Sequence, residues 1–360
     1  MKERLIALRP WIIRFVGYPS FFVFWFVLFF YVTFPWDRLR ETIIANAEAP
    51  RRSPSGVMAP SNMQLHIGSL GPTFLPGISA RDISVTFLPT KAGERSRTMR
   101  IEQATVHVGL FALMANTLSA DIAVRGLGGR IDGHVDVAMG GRRPGVREAR
   151  LTIDNVNVGD IAPVVAMVGL PLSGRLDSRV DFHVPDGRLD RASGSVTLSV
   201  DNLTIGDGQA QYQIPRWGAV TIETIRAGPL DGTVTIRNGE ATIERLSARS
   251  PEFVLLMDGR IVLAPLVTQS TLNASVRFQL TEVYRRKSET AGRIMNVMDF
   301  APDLRAARRA DGMYGFRCAG TLEGDVRCPP DMRGAASRGP AGSGGSGTAV
   351  PSRRGFEDTR

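Results

Sequence analysis

The feature that most constrains this chain is an uncharged run near its amino terminus. Residues 15–36, FVGYPSFFVFWFVLFFYVTFPW, contain no Asp, Glu, Lys or Arg. A helix needs roughly 20 consecutive apolar residues to cross the hydrocarbon core of a bilayer, and lipid offers the backbone no other hydrogen-bond partners. The run therefore predicts a single transmembrane helix over residues 15–36. Its expected anchoring side chains are aromatic: Phe15, Tyr18, Phe22, Trp25, Phe29, Tyr31 and Trp36.

A cleaved signal peptide is the main alternative, because basic residues precede the run. The apolar core of a signal peptide is only about 7–15 residues long and ends at small residues, whereas bulky aromatic residues continue here to Trp36. A buried core helix would be expected to carry a polar face, which this run lacks. We therefore expect an uncleaved anchor. Basic residues flank both ends of it, so charge barely determines the orientation, but the short segment 1–14 is expected to stay in the cytoplasm.

A stalk and a β domain are expected after the anchor. Residues 37–62 predict an amphipathic helix with Leu39, Ile43 and Ala47 on one stripe, followed by a linker rich in Pro, Ser and Gly. From residue 63, apolar and polar residues alternate in short segments separated by turn residues. This pattern predicts a mainly β domain over residues 63–330, either an extended antiparallel sheet, a sandwich or an open meander.

A few short helices and a tail are expected within and after this domain. The apolar stretches 110–116 and 161–169 predict single helices laid across the sheet. Residues at about 282–309 have apolar side chains at helical spacing and predict a helical insert. Residues 331–360 have too few apolar side chains to offset chain entropy, which predicts a disordered basic tail.

Two phrases recur along the β domain. LTIDNVNVG from Leu151 and LSVDNLTIG from Leu198 share one pattern at every position. A second phrase, Gly-x-apolar-acid-small-x-Val, occurs four times. Chance similarity between glycine-rich turns is the alternative, but two independent phrases favour a repeat of stacked β units that shield one another. The residues assigned to its turns are Gly129, Asp132, Gly174, Asp177, Gly228, Asp231, Gly320 and Glu323.

The chain has two cysteines, Cys318 and Cys328. On adjacent strands of a hairpin in an oxidising compartment they could close a disulfide; the sequence alone is equally compatible with two free thiols. Two cysteines without a nearby His cannot complete a tetrahedral metal shell. No metal site is therefore expected here.

The formal net charge is +9, yet nucleic acid is not the expected partner, because no basic motif interleaved with aromatic residues occurs. Lipid headgroups and a merely solvated surface are both compatible with the charge. The four histidines are isolated, and no nucleophile elbow or phosphate-binding loop is found. The aspartates of the second phrase are expected to turn the backbone. We therefore expect no enzyme and no cofactor.

The stretch YPSFFVFWFVLFFYVTFPWDRLRETI resembles the amino-terminal anchor of the family of type II secretion system protein N (GspN). The phrases ISARDISV from Ile78 and GLPLSGRLDSRVDF from Gly169 are similar to that family and to AsmA-like periplasmic proteins. The resemblance covers residues 18–329. The cysteine pair and the long basic tail depart from the family pattern, so the resemblance supports no role for either.

The resemblance implies a single-pass protein of the bacterial inner membrane with a periplasmic β domain. It implies a non-catalytic accessory or assembly component of the type II secretion system, with other subunits of that system as partners. The alternative is an AsmA-like protein that binds or transfers lipids in an apolar groove. Alternation along the strands does not say which face of the sheet is covered, so both functions stay open at this stage.

Overall fold

The computed structural model describes residues 17–49, 51–52, 58–59, 61, 63–73, 76–88, 96–109, 116–140, 145–209, 211–214, 218–266, 269–322 and 326–331. Several predictions concern residues outside these ranges. They are the cytoplasmic segment 1–14, the anchor residue Phe15, the helix over 110–116 except Asn116, the phrase residue Glu323, and the tail from residue 332.

The described chain contains six α-helices and seventeen strands. The helices are α1 (Tyr18–Thr33), α2 (Trp36–Glu48), α3 (Ala162–Val168), α4 (Glu282–Arg285), α5 (Glu289–Phe300) and α6 (Pro302–Ala307). The strands are β1 (Arg51–Arg52), β2 (Met58–Ala59), β3 (Met63–Pro72), β4 (Gly77–Phe87), β5 (Arg97–Gly109), β6 (Thr117–Gly126), β7 (Gly129–Ala138), β8 (Gly145–Asn157), β9 (Leu172–His183), β10 (Ser193–Ile205), β11 (Gln211–Ile214), β12 (Gly218–Thr221), β13 (Ile225–Arg237), β14 (Glu240–Arg249), β15 (Phe253–Val262), β16 (Thr271–Leu280) and β17 (Tyr314–Thr321).

Thirteen of the strands form one antiparallel sheet. Its order is β3 to β10 followed by β13 to β17, so each strand pairs with its neighbour along the sequence. The hairpin β11–β12 is an insertion between β10 and β13, and β1 pairs with β2. The prediction of a mainly β domain with an extended antiparallel sheet and a few short helices is confirmed, and the strands follow one another as a meander rather than a sandwich.

The sheet has one apolar and one polar face. In β9 the residues alternate strictly, with Leu176 and Val180 half-buried and Asp177 and Arg179 exposed between them. Successive side chains of a strand point to opposite faces, so the alternating sequence places all its apolar residues on one side. We call the two sides the apolar face and the polar face.

A β-bulge explains the first repeated phrase. Asn155 in β8 and Asn202 in β10 have left-handed φ angles of 55° and 53°, and the strand register shifts at both positions. Asn is among the few non-glycine residues that adopt this conformation readily. The extra residue changes the alternation, so Ile153 before the bulge and Val156 after it lie on the same face. The shared pattern of the phrase is therefore the pattern of a bulged strand.

Three of the four copies of the second phrase do not form turns, contrary to the prediction. The first three copies lie inside β7, β9 and β13, whereas in the fourth only Gly320 and Thr321 belong to a strand, at the end of β17. The glycines are required because bulged backbone lies beside them: a Cβ atom on Gly129 would lie 2.6 Å from the carbonyl carbon of Asn155, and one on Gly174 would lie 3.0 Å from the carbonyl oxygen of Asp201. Glycine at such a site permits close backbone approach. The repeat units also do not stack face to face; they pair edge to edge within one sheet.

Helix α2 covers the β3 edge of the sheet. The guanidinium of Arg40 donates a hydrogen bond to the backbone carbonyl of Gly68 (3.2 Å), and the Leu65 N–H donates to the Glu48 carboxylate (2.9 Å). These contacts satisfy edge groups that would otherwise pair with another strand. The predicted helical stalk is present, but Ile43 is 36% exposed and does not belong to the half-buried stripe.

Helix α1 exposes large apolar side chains. Among its aromatic residues, Tyr18 is 67% exposed, Phe22 is 70%, Trp25 is 52% and Phe29 is 69%. Within the residues that the structure describes, no helix is long and apolar enough to cross a membrane.

Candidate apolar binding face

One row of directly paired residues crosses all thirteen strands without a charged side chain. It consists of Pro72, Ile78, Val106, Ile122, Gly133, Leu151, Val180, Val196, Val234, Ile243, Gly259, Ala274 and Cys318. Neighbouring strands lie about 4.8 Å apart, so this apolar row extends for about 58 Å. It forms the centre of the candidate binding face.

The carboxyl-terminal part of this face is covered at one end of the strands. Tyr284 of α4, and Ala291 and Met295 of α5, are buried in one cluster with Val200 of β10 and Phe253 of β15. A second cluster, at the opposite ends of these strands, buries Val184, Ala192, Ile236 and Ala241. These two clusters are the hydrophobic core of the molecule.

The amino-terminal part of the face is not buried to the same degree. Ile78, Val106, Ile122, Leu151 and Val180 are all half-buried. Apolar side chains in this position keep contact with water, which is unfavourable by roughly 25 cal/mol for each Å² left exposed. Among the residues that the structure describes, the central apolar side chains of β4 to β9 therefore keep part of their surface exposed.

Polar contacts fix the helical cover onto the sheet. The Lys287 ammonium lies 3.0 Å from the Glu252 carboxylate, which also accepts a hydrogen bond of 2.9 Å from the Arg226 N–H. Burial raises the pKa of Glu252, but the Arg226 N–H and Lys287 outweigh burial, and the pKa lies below its usual range. The Tyr284 hydroxyl donates to the backbone carbonyl of Glu223 (3.0 Å). The cover is thus held by specific, oriented bonds.

The polar face carries ion pairs. Arg130 pairs with Asp132 at 2.7 Å, and His134 lies 2.6 Å from Asp121. The hydrogen bond to Asp121 is the main cause that raises the pKa of His134; burial opposes it, and Asp136 adds to it. Among the described residues, no group of three or more His, Cys, Asp or Glu could hold a metal ion.

The aspartates of the second phrase are only partly brought together. Asp177 and Asp231 each pair with Ser199, one from either side, and line a shallow cleft with it. Ser199 donates to Asp231 (3.0 Å), whereas Asp177 accepts from the Asn155 N–H (2.9 Å). Asp132 does not line this cleft. Asp177 therefore stabilises the bulge in β8.

The two cysteines lie at the last strand of the sheet. Cys318 of β17 and Cys328 form a disulfide, with their Cα atoms 4.0 Å apart. Residues 326–331, which contain Cys328, pair with the outer edge of β17. Both edges of the sheet are therefore covered, one by α2 and the other by this segment.

Sequence reasoning found the apolar alternation but missed what covers the sheet. The contacts that hold the covers join residues far apart in the chain, so no local sequence pattern predicts them. They are the bonds of Arg40 and Glu48 to β3 and of Tyr284 to Glu223. The bulges did leave a signal. In both copies of the first phrase, the apolar alternation skips one position at Asp-Asn.

The fold and the site define a class of protein: a single-layer antiparallel β-meander with one apolar face, joined to an exposed aromatic helix. Comparison of the chain with protein-family models, with curated proteins and with solved structures found no match.

Proposed function

We propose that this protein is a membrane-anchored, non-catalytic carrier that binds acyl chains of lipids on the apolar face of its sheet. The observation that supports this proposal most is the uncharged row that crosses all thirteen strands, from Pro72 in β3 to Cys318 in β17. Over β4 to β9 its side chains are only half-buried.

The chemistry of the row favours an acyl chain over a protein partner. Its residues are aliphatic or small, and it contains no Trp, Tyr or Arg, the residues that contribute most at protein interfaces. Binding of an acyl chain is favoured by about 0.8 kcal/mol of transfer free energy for each methylene removed from water, and the chain needs no hydrogen-bond partner. A face of Val, Ile and Leu side chains without hydrogen-bonding groups suits such a ligand.

The edges of the sheet do not favour assembly by strand addition. Arg40 and Glu48 of α2 bond to β3, and residues 326–331 pair with β17. A partner strand would have to displace these covers before it could pair. This is why we place acyl-chain binding ahead of an assembly role.

The anchor is part of the same proposal. The exposed aromatic side chains of α1 require an apolar environment, and the bacterial inner membrane supplies one. In this arrangement the β domain lies in the periplasm, close to a bilayer from which it takes lipids. Membership of the GspN family, and the contacts with secretion-system subunits that it implies, rest on the sequence resemblance alone and stay a prediction.

Retention of lipid by purified protein tests the proposal. The full chain is extracted in detergent and separated from free lipid, and the bound lipid is then measured by mass spectrometry. We expect co-purifying acyl lipids in the wild-type protein and at least a tenfold loss in Ile122→Lys, because a charge then lies in the apolar row. Ala123→Lys is the matched control, because Ala123 is the next residue of β6 and pairs with Asp132 on the polar face.

Equal lipid retention by the two variants would contradict the proposal, as would wild-type protein free of lipid. Circular dichroism and thermal unfolding of both variants show whether Ile122→Lys keeps the fold. If it unfolds, Ile122→Ser is measured in its place, since a small polar residue perturbs the packing less than a charge does.

A further inference from the structure

The last described segment of the chain is a strap along the edge of the sheet. We call residues 326–331 the edge strap. It runs antiparallel to β17 and is bonded to it through the backbone. The hydrogen bonds run from Arg317 N–H to Pro329 (2.9 Å), from Ala319 N–H to Arg327 (2.9 Å), from Arg327 N–H to Ala319 (3.0 Å) and from Asp331 N–H to Gly315 (2.9 Å).

A proline of the edge strap and an ion pair at its end make it a poor edge for further strand pairing. Pro330 faces away from β17 and has no N–H group, so the outer side of the strap lacks a backbone donor at that position. An ion pair of 2.9 Å between Arg309 and Asp331 fixes its far end. The strap therefore covers the edge of β17, and Pro330 weakens its own outer side as a pairing surface.

The disulfide joins the strap to β17 at directly opposite positions. Ala319 pairs with Arg327, which places Cys318 and Cys328 across from each other. The two cysteines differ in their environment. Cys318 is only 8% exposed on the apolar side of β17, whereas Cys328 lies in an exposed stretch of the strap.

We propose that Cys328 is a thiol–disulfide exchange site, attacked by an external dithiol, and that reduction releases the edge strap from β17. Exchange depends on access to the attacked sulfur, and of the two cysteines Cys328 is exposed whereas Cys318 is buried. This inference does not depend on acyl-chain binding.

The exchange consists of two balanced steps. The thiolate of the dithiol attacks Cys328 Sγ, the protein disulfide breaks, and the Cys318 sulfur leaves as a thiolate that takes up a proton. The second thiol of the reagent then attacks the reagent sulfur that is bonded to Cys328. This step closes a disulfide within the reagent and releases Cys328 as a thiol. The protein gains two electrons and two protons, and the dithiol is oxidised to a disulfide.

Reduction frees the strap because the disulfide closes a short loop. A cross-link between residues about ten positions apart lowers the population of the detached strap, relative to the bound strap, by about 100-fold through loop-closure entropy. Without the cross-link, the four backbone bonds and the Arg309–Asp331 pair remain to hold the strap. Once it detaches, the outward N–H groups of Arg317 and Ala319 are available to an extended segment of another protein.

The attacked sulfur can be identified directly. The full chain in detergent is treated with limiting glutathione, free thiols are blocked, and the adduct is mapped by peptide mass spectrometry. We expect the glutathione adduct on Cys328. An adduct on Cys318, or no adduct at a glutathione concentration that reduces a small-molecule disulfide, would overturn the assignment.

Hydrogen exchange tests release of the strap. With dithiothreitol, we expect the amides of Arg317 and Ala319 to exchange about 100-fold faster, while those of Val180 and Thr197 in the middle of the sheet stay unchanged. The Cys318→Ser/Cys328→Ser variant should exchange at the fast rate without reductant and show no further change. Unchanged protection at Arg317 and Ala319, or loss of protection throughout the sheet, would contradict the release.

Discussion

Gly129 of β7 packs against the backbone of Asn155 in β8, so closely that a Cβ atom on Gly129 would lie 2.6 Å from the carbonyl carbon of Asn155. Asn155 has the left-handed φ of 55° that forms the bulge. The bulge and the glycine therefore require each other, and together they keep the apolar side chains of β8 on one face.

This relationship predicts a large effect for a small substitution. Gly129→Ala should lower the free energy of unfolding by roughly 2 kcal/mol, because the added methyl group meets backbone that cannot move without breaking the ladder. Gly71→Ala is the matched control, since a Cβ atom there meets nothing within 4 Å. Denaturant unfolding of the two variants measures the difference, and equal stability would show that the contact is not required.

The helical cover predicts a dependence of stability on pH. The pKa of Glu252 is lowered in the folded protein, so the stabilisation it gives is present above the ordinary glutamate pKa and is lost as the pH falls through the lowered value. Thermal unfolding of the wild-type protein should therefore shift downward on the acid side of this range. Glu252→Gln should flatten that dependence and cost roughly 2 kcal/mol at pH 7.

Glu102→Gln serves as the control for that experiment, because Glu102 is exposed on β5, away from the helical cover. Its acid profile should follow that of the wild-type protein. A Glu252→Gln profile that also follows the wild-type curve would show that Lys287 and Glu252 contribute nothing to holding the cover.

Helix α1 predicts association with the inner membrane. The wild-type chain should sediment with that membrane, and a periplasm-dependent reporter fused after Trp36 should be active. Phe22→Arg/Trp25→Arg should release the chain into the soluble fraction, because each charge in the hydrocarbon region costs about 3 kcal/mol. Ile43→Arg on the exposed side of α2 is the control and should stay with the membrane. A wild-type product found only in the soluble cytoplasmic fraction would refute the anchor.

The sequence alone predicts the strands well because their pattern is local. In β9, Leu176, Val180 and Phe182 alternate with charged residues, and this alternation is enough to assign both the strand and its apolar side. The same reasoning assigned Gly174 and Asp177 to a turn, because it treated glycine as a turn residue. In the structure Gly174 has a neighbouring strand with a bulge, and that neighbour is invisible to a local rule.

The arrangement of the covers could not be predicted for a different reason. Arg40 meets Gly68 and Tyr284 meets Glu223 only after the chain has folded back on itself, and each of these residues is unremarkable in its own segment. Whether the edge of the sheet and its apolar face are covered depends on such contacts. Our proposal of acyl-chain binding ahead of an assembly role therefore rests on contacts that the sequence does not reveal.

Site-specific photo-crosslinking in the cell tests the central claim most directly. A photoreactive amino acid replaces either Ile122, on the apolar face, or Ala123, the next residue of β6 on the polar face. After illumination and proteolysis, we predict peptides carrying a covalent lipid adduct from position 122 and none from position 123. Protein adducts without lipid at position 122, or equal lipid labelling at both positions, would contradict acyl-chain binding on the apolar face.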